Sequence, residues 1–274
     1  MSSFVHQKKP FIVCVLRGKS MMSDVATIMN GEHDGADAFD LHINWLPEAD
    51  RSPENLRRIF ASTRLPMLAL YYREPTPYSN PAPGEEERLA YQLRAIECGA
   101  AGIDIQADLY DPDPKSSLAG SSYGFAKLNP NEVTLNPQAV EKQIKFINRV
   151  HSMGAEVLLS AHVGVRLSCD EGVELALELE RRGPDIIKIV SPCEGDDQII
   201  EILKTIVELK KRLHTPFVYI GGGADSALTR TVGAMLGNAL VFANQRYEEN
   251  STLLQPLVGQ VRTILDEVRR DVRQ

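Results

Sequence analysis

Short apolar runs alternate along this chain with longer stretches of helical periodicity. The runs are FIVCVL (11–16), AFDLHI (38–43), PMLALYY (66–72), GIDIQA (102–107), EVLLSAH (156–162), DIIKIV (185–190), PFVYIG (216–221) and ALVFA (239–243). Their length, β-branched content and flanking turn residues predict strands. Between them, EEERLAYQLRAIECGA puts Leu89, Leu93 and Ile96 on one face with Gly99 as a C-cap, and NPQAVEKQIKFINRVHSMGA does the same with Val140, Ile144, Ile147, Val150 and Gly154. DDQIIEILKTIVELKKRLH opens with acids and closes with bases, as a helix dipole prefers. Eight β-α units of roughly 30 residues predict an α/β protein, a single (β/α)8 TIM barrel over residues 1–274. An open doubly wound sheet is the alternative, but RGKSMM after the first strand is not its Gly-rich turn. DLYDPDPKSSLAGSSYGFAKLNPNEVTLNP, about 108–137, reads as an insertion after strand 4 on the catalytic face, either a lid or a solvated excursion.

Strand side chains alternate, so residues i and i+2 share a face. Asp40, His42 and Asn44 share one face of AFDLHIN, opposite Phe39, Leu41 and Ile43; Asp104, Gln106 and Asp108 share another, and Ser160 pairs with His162. Lys188 stands alone among Ile186, Ile187, Ile189 and Val190. In a barrel the apolar set faces the helices and the polar set points inward. Four strands then deliver ionisable groups to one cavity, which predicts an active site there. Lysine is almost never buried without a reason. Desolvation favours its neutral, nucleophilic amine, which forms an imine with a ketone. A histidine nearby can move the adjacent proton. Lys188 with His162 is a minimal kit for a Schiff-base dehydratase or aldolase.

Composition narrows the partners. A net charge of −7 and a pI near 5.5 argue against a general nucleic-acid or anionic-membrane binder, and no apolar run is long enough to span a bilayer. The opening MSSFVHQKKP lacks the apolar core of a signal peptide, so the cytoplasm is expected. Cys14, Cys98, Cys169 and Cys193 are scattered and indicate neither a zinc site nor a disulfide framework.

The order of motifs resembles the type I 3-dehydroquinate dehydratase family over almost the whole chain. GADAFDLHINWL resembles the family's Gly-Ala-Asp-x-x-Glu-x-Arg-x-Asp strand, and RLPMLALYYRE the strand ending in a substrate-binding arginine, here Arg73. GIDIQ resembles the Asp-Ile-Glu strand, VLLSAHV the Ser-x-His-Asp strand and DIIKIV the Schiff-base strand. GGADSALTRTVG is similar to Gly-x-x-Gly-x-x-Ser-Arg, which places a carboxylate-binding arginine at Arg230; NSTLLQP lines up with Ser-Ala-Pro-Gly-Gln and keeps Ser251 and Gln255. The resemblance implies a cytoplasmic, homodimeric, cofactor-free lyase of the shikimate pathway. Lys188 would be its nucleophile and His162 its acid/base, and a carboxylated ketone its substrate.

The chain departs from that pattern at three charged positions. Asp40 replaces a glutamate, His42 an arginine, and Gln106 the glutamate that orients the histidine. Gln106 is expected to hydrogen-bond His162 without stabilising an imidazolium by charge, and His42 lacks arginine's fork. Rival functions follow: imine chemistry on another carboxylated or polyhydroxylated ketone, a metal site built on Asp40, His42, Asp104 and His162, or a non-catalytic ligand-binding barrel.

Overall fold

The computed structural model of the chain describes residues 3–4 and 10–269; residues 1–2, 5–9 and 270–274, which include most of MSSFVHQKKP, lie outside it. The strands are β1 (Phe11–Leu16), β2 (Ala38–His42), β3 (Met67–Leu70), β4 (Gly102–Gln106), β5 (Glu156–His162), β6 (Ile186–Pro192), β7 (Phe217–Gly222) and β8 (Leu240–Ala243). All paired neighbours are parallel and run in the order β7-β6-β5-β4-β3-β2-β1-β8. Sequential strands pair because each crossover helix returns the chain beside the strand it left. The seam between β7 and β8 is narrow: Ala239 N donates to Phe217 O at 2.7 Å. Beside it the Asn238 side chain bonds both Tyr219 N (2.8 Å) and Tyr219 O (3.0 Å), so one amide stands in for a missing rung.

The helices are α1 (Met21–His33), α2 (Pro53–Phe60), α3 (Glu85–Cys98), α4 (Pro114–Leu118), α5 (Gly124–Lys127), α6 (Pro137–Ser152), α7 (Cys169–Glu180), α8 (Asp196–Arg212), α9 (Ala227–Leu236) and α10 (Val258–Arg269). Local chemistry sets their ends. Ser168 and Glu171 form a reciprocal capping box at the start of α7. Gly99, at φ 119°, closes α3. The outward faces of the strands pack on the helices as one apolar layer that includes Ile12, Phe39, Ile103, Leu159 and Ile187. A second apolar cluster, with Phe4, Phe11, Val13, Leu158, Ile186 and Val218, fills the lower barrel interior.

The boundaries differ from expectation by one or two residues. β2 stops at His42 because Ile43–Trp45 turns into a 3-10 segment. The connection between β4 and α6 is no solvated excursion: it carries α4 and α5, buries Leu118, Phe125, Val133 and Thr134, and packs α5 on α7. Arg182, fully buried after α7, clamps it by donating to Thr134 O (2.8 Å), Ala107 O (2.7 Å) and Gln143 Oε1 (2.8 Å).

Candidate active site

A cavity of about 360 Å³ opens at the C-terminal ends of the strands. Lys188 from β6, His162 from β5, Asp40 and His42 from β2, Arg230 from α9, and Gln255 all line it. The i, i+2 alternation of the strands brings them there. Lys188 is 8% exposed, and its Nζ donates to Asp104 Oδ2 at 3.1 Å and lies 4.9 Å from the Phe242 ring centroid. Ser160 Oγ donates to the other Asp104 oxygen at 2.6 Å. Burial raises the pKa of Asp104 against the pull of Lys188 and Ser160, so this carboxylate holds a proton more readily than an exposed aspartate.

On the β2 side, Arg17 Nε donates to His42 Nδ1 at 3.3 Å, which leaves His42 Nε2–H to donate to Asp40 Oδ2 at 3.2 Å. Burial and the Arg17 charge push the His42 pKa down to about 4, so His42 is a neutral relay between a guanidinium and a carboxylate. Asp40 stays below its ordinary value: burial raises it, but His42, Lys188 and Arg17 outweigh that. Its Oδ1 has no partner among the described residues. Arg230 donates Nη2 to Gly221 O at 3.1 Å, and burial lowers its pKa to about 10; among the described residues no acidic side chain offsets it. A buried guanidinium without a carboxylate is matched to an anionic ligand group.

Other expected site residues lie elsewhere. Gln106 does not bond His162; its Oε1 accepts from Arg88 at 3.3 Å and its Nε2 has no partner among the described residues. The reason is Arg88, whose guanidinium also caps Tyr71 O at the top of β3 and holds the amide on the α3 side. Arg73 forks onto Asp108 and is not part of the cavity wall. Ser251 bonds within its own loop, to Glu248 N and Arg246 O, and lines a separate small crevice beside Arg17. Its neighbour Thr252 takes the cavity position and accepts Arg17 Nη1 at 2.7 Å. Among the described residues no group of three or more His, Cys, Asp or Glu is placed to hold a metal ion.

Three site residues escaped the sequence reading. Arg17 continues the inward alternation Phe11, Val13, Val15, a signal that was present. Tyr72 lines the cavity with its ring edge-on to His162, centroids 5.6 Å apart. Glu132, from the β4–α6 connection, accepts both His162 Nδ1 (2.8 Å) and His162 N (2.8 Å) through Oε2, while Tyr72 donates its hydroxyl to Oε1. Nothing in NPNEVTLNP marks that acid, since only the fold brings it 30 positions along the chain to its histidine.

A family model described as type I 3-dehydroquinase matches residues 12–270. A curated 3-dehydroquinate dehydratase from Aromatoleum aromaticum is 23% identical over 143 residues, 52% of this chain and 53% of that protein, so the chain spans about half the length of the curated relative it matches. The structure of 3-dehydroquinate dehydratase from Geobacillus kaustophilus HTA426 superposes with a TM-score of 0.73 at 16% identity, covering 100% of this chain and 97% of that one. A type I 3-dehydroquinate dehydratase from Clostridium difficile, with covalently modified comenic acid, gives 0.73 at 13% identity over 98% and 95%. At such identities the likeness to the solved structures is one of fold.

Proposed function

We propose that this chain, which belongs to the type I 3-dehydroquinase family, is a Schiff-base hydro-lyase converting 3-dehydroquinate to 3-dehydroshikimate and water. The observation that carries the reading is the buried Lys188, paired with Asp104, in the wall of a cavity that also holds His162 and an Arg230 without an acidic partner among the described residues. Asp104, with its raised proton affinity, is the local acceptor through which Nζ becomes a neutral amine. Nζ adds to the substrate ketone, and loss of water gives an iminium. His162 takes the proton from the adjacent carbon, and the electron pair passes to the iminium nitrogen as an enamine. The imidazolium returns that proton to the departing hydroxyl, which leaves as water and restores a conjugated iminium. Hydrolysis then frees the enone product and the lysine. Arg230 binds the substrate carboxylate, and Asp40 Oδ1 accepts from a substrate hydroxyl.

The test is borohydride trapping. With 3-dehydroquinate and borohydride, a stable mass adduct is expected on the Lys188 peptide and none on Lys188→Ala. A folded protein that gives no adduct overturns the reading.

A second substrate reading has its own support. The arginine that the family resemblance places at position 42 is a neutral histidine here, and a guanidinium arrives from Arg17 instead. That geometry suits another hydroxylated keto acid, and the same trapping with such compounds separates the two. A homodimer in the cytoplasm is part of the proposal; no helix among the described residues is long and apolar enough to cross a membrane.

A further inference from the structure

We propose that Glu132, supplied by the β4–α6 connection, is the positioning residue of His162: it holds the imidazole with Nδ1–H donated to a carboxylate and Nε2 left to carry the reacting proton. The proposal rests on His162 being the acid/base group of the reading above. A single oxygen, Oε2, accepts from both the backbone and the ring of His162 at 2.8 Å, which fixes the ring relative to its own strand. The second oxygen takes the Tyr72 hydroxyl, so the carboxylate cannot rotate without breaking a bond. Tyr72 also stands 3.4 Å from Nδ1, but Glu132 is closer and charged, and the charge-assisted bond is the stronger one. Burial raises the Glu132 pKa, but the bonds from His162 and Tyr72 outweigh it, so the group remains anionic.

The backbone is built to the same end. Glu132 is held at φ 52°, a left-handed conformation that a non-glycine residue adopts only where its surroundings impose it. Its neighbour Asn131 donates N–H to Val163 O at 2.8 Å, docking the segment along the end of β5. Position 164 is glycine at φ 65°, and a Cβ there would stand 2.4 Å from the Asn131 side-chain nitrogen. Arg182 anchors the far side of the segment through Thr134 O. The β4 position that the family resemblance assigns to an orienting glutamate is Gln106, turned to Arg88. A carboxylate missing from one strand is thus resupplied by the following connection.

The imidazole tautomer tests this without substrate. ¹⁵N shifts of His162 are recorded in ligand-free wild type, E132Q and E132A. In wild type the proton is expected on Nδ1, with Nε2 unprotonated in the neutral ring. E132A is expected to move it to Nε2, and kcat to fall ~10²-fold or more with KM nearly unchanged. E132Q, isosteric and still an acceptor, is expected to keep the tautomer and most of the fold, with kcat reduced by about tenfold through loss of the charge. Retention of the Nδ1–H tautomer in E132A overturns the proposal whatever the turnover. A wild type that ignores 3-dehydroquinate but shifts its tautomer in E132A supports the placement and removes only the substrate reading.

Discussion

The lower and upper halves of the barrel interior are made from the same strands and differ in kind. Moving two residues along one inward face takes Ile186 to Lys188, Leu158 to Ser160, and Ala38 to Asp40. Below, Phe4 is fully buried and meets Phe11 edge to face, centroids 6.1 Å apart, within an apolar cluster. Above, buried charges face one another across a cavity, and Asp40 Oδ1 and Gln255 Oε1 have no partner among the described residues. An apolar interior stabilises itself, whereas buried polar groups stabilise only when every atom is paired. The lower half therefore holds the barrel together, and the upper half carries a stability cost that suits it to the proposed chemistry.

The sharpest way to break that contrast is to make the upper half like the lower. Lys188→Met with Asp104→Asn replaces the buried pair by neutral groups. Turnover is expected to fall by at least ~10³-fold, and stability to stay level or rise by about 1–4 kcal/mol, since such pairs rarely repay their desolvation. Steady-state assays and denaturant melts on the same sample measure both. The converse is Ile186→Ala, one step below Lys188 on the same face. It is expected to cost about 2–5 kcal/mol of stability while leaving kcat per folded molecule unchanged.

A third effect, confined to stability and to one pH range, lies outside the barrel wall on α1. Asp24 is 1% exposed, accepts Gly18 N at 2.7 Å, and leaves Oδ2 without a partner among the described residues. Burial pushes its pKa from 3.8 up to about 7. An acid whose folded pKa is raised favours the fold while protonated, so its contribution is full below pH 3.8 and lost as pH climbs through about 7. Asp24→Asn keeps the acceptor for Gly18 and removes the charge. It is expected to raise stability by on the order of 2–4 kcal/mol at pH 8 and to change little at pH 4, read as melting temperature against pH.

Much of this architecture is legible in the chain. Eight strands fall within two residues of their apolar runs because period-two alternation is local and each run is bounded by its own turn chemistry. The same alternation brings Lys188, His162, Asp40 and His42 to one cavity. Legibility fades where a side chain leaves the strand pattern. Gln106 obeys the alternation, yet Arg88 on α3 captures its amide. Arg73 lies three residues beyond the end of β3 at Leu70, not at the end of the strand as expected, and Asp108 holds it away from the cavity.

The sequence by itself determined the barrel, the inward lysine and histidine, and the change from apolar to polar along each strand, because those depend on spacing within a few residues. Tertiary structure alone decided that Arg17 stands beside His42 and that Glu132 receives His162. Those pairings join residues 25 and 30 positions apart. Contacts at that range are set by how connections pack on the barrel, through anchors such as Arg182 and Gly164, and no local period encodes them.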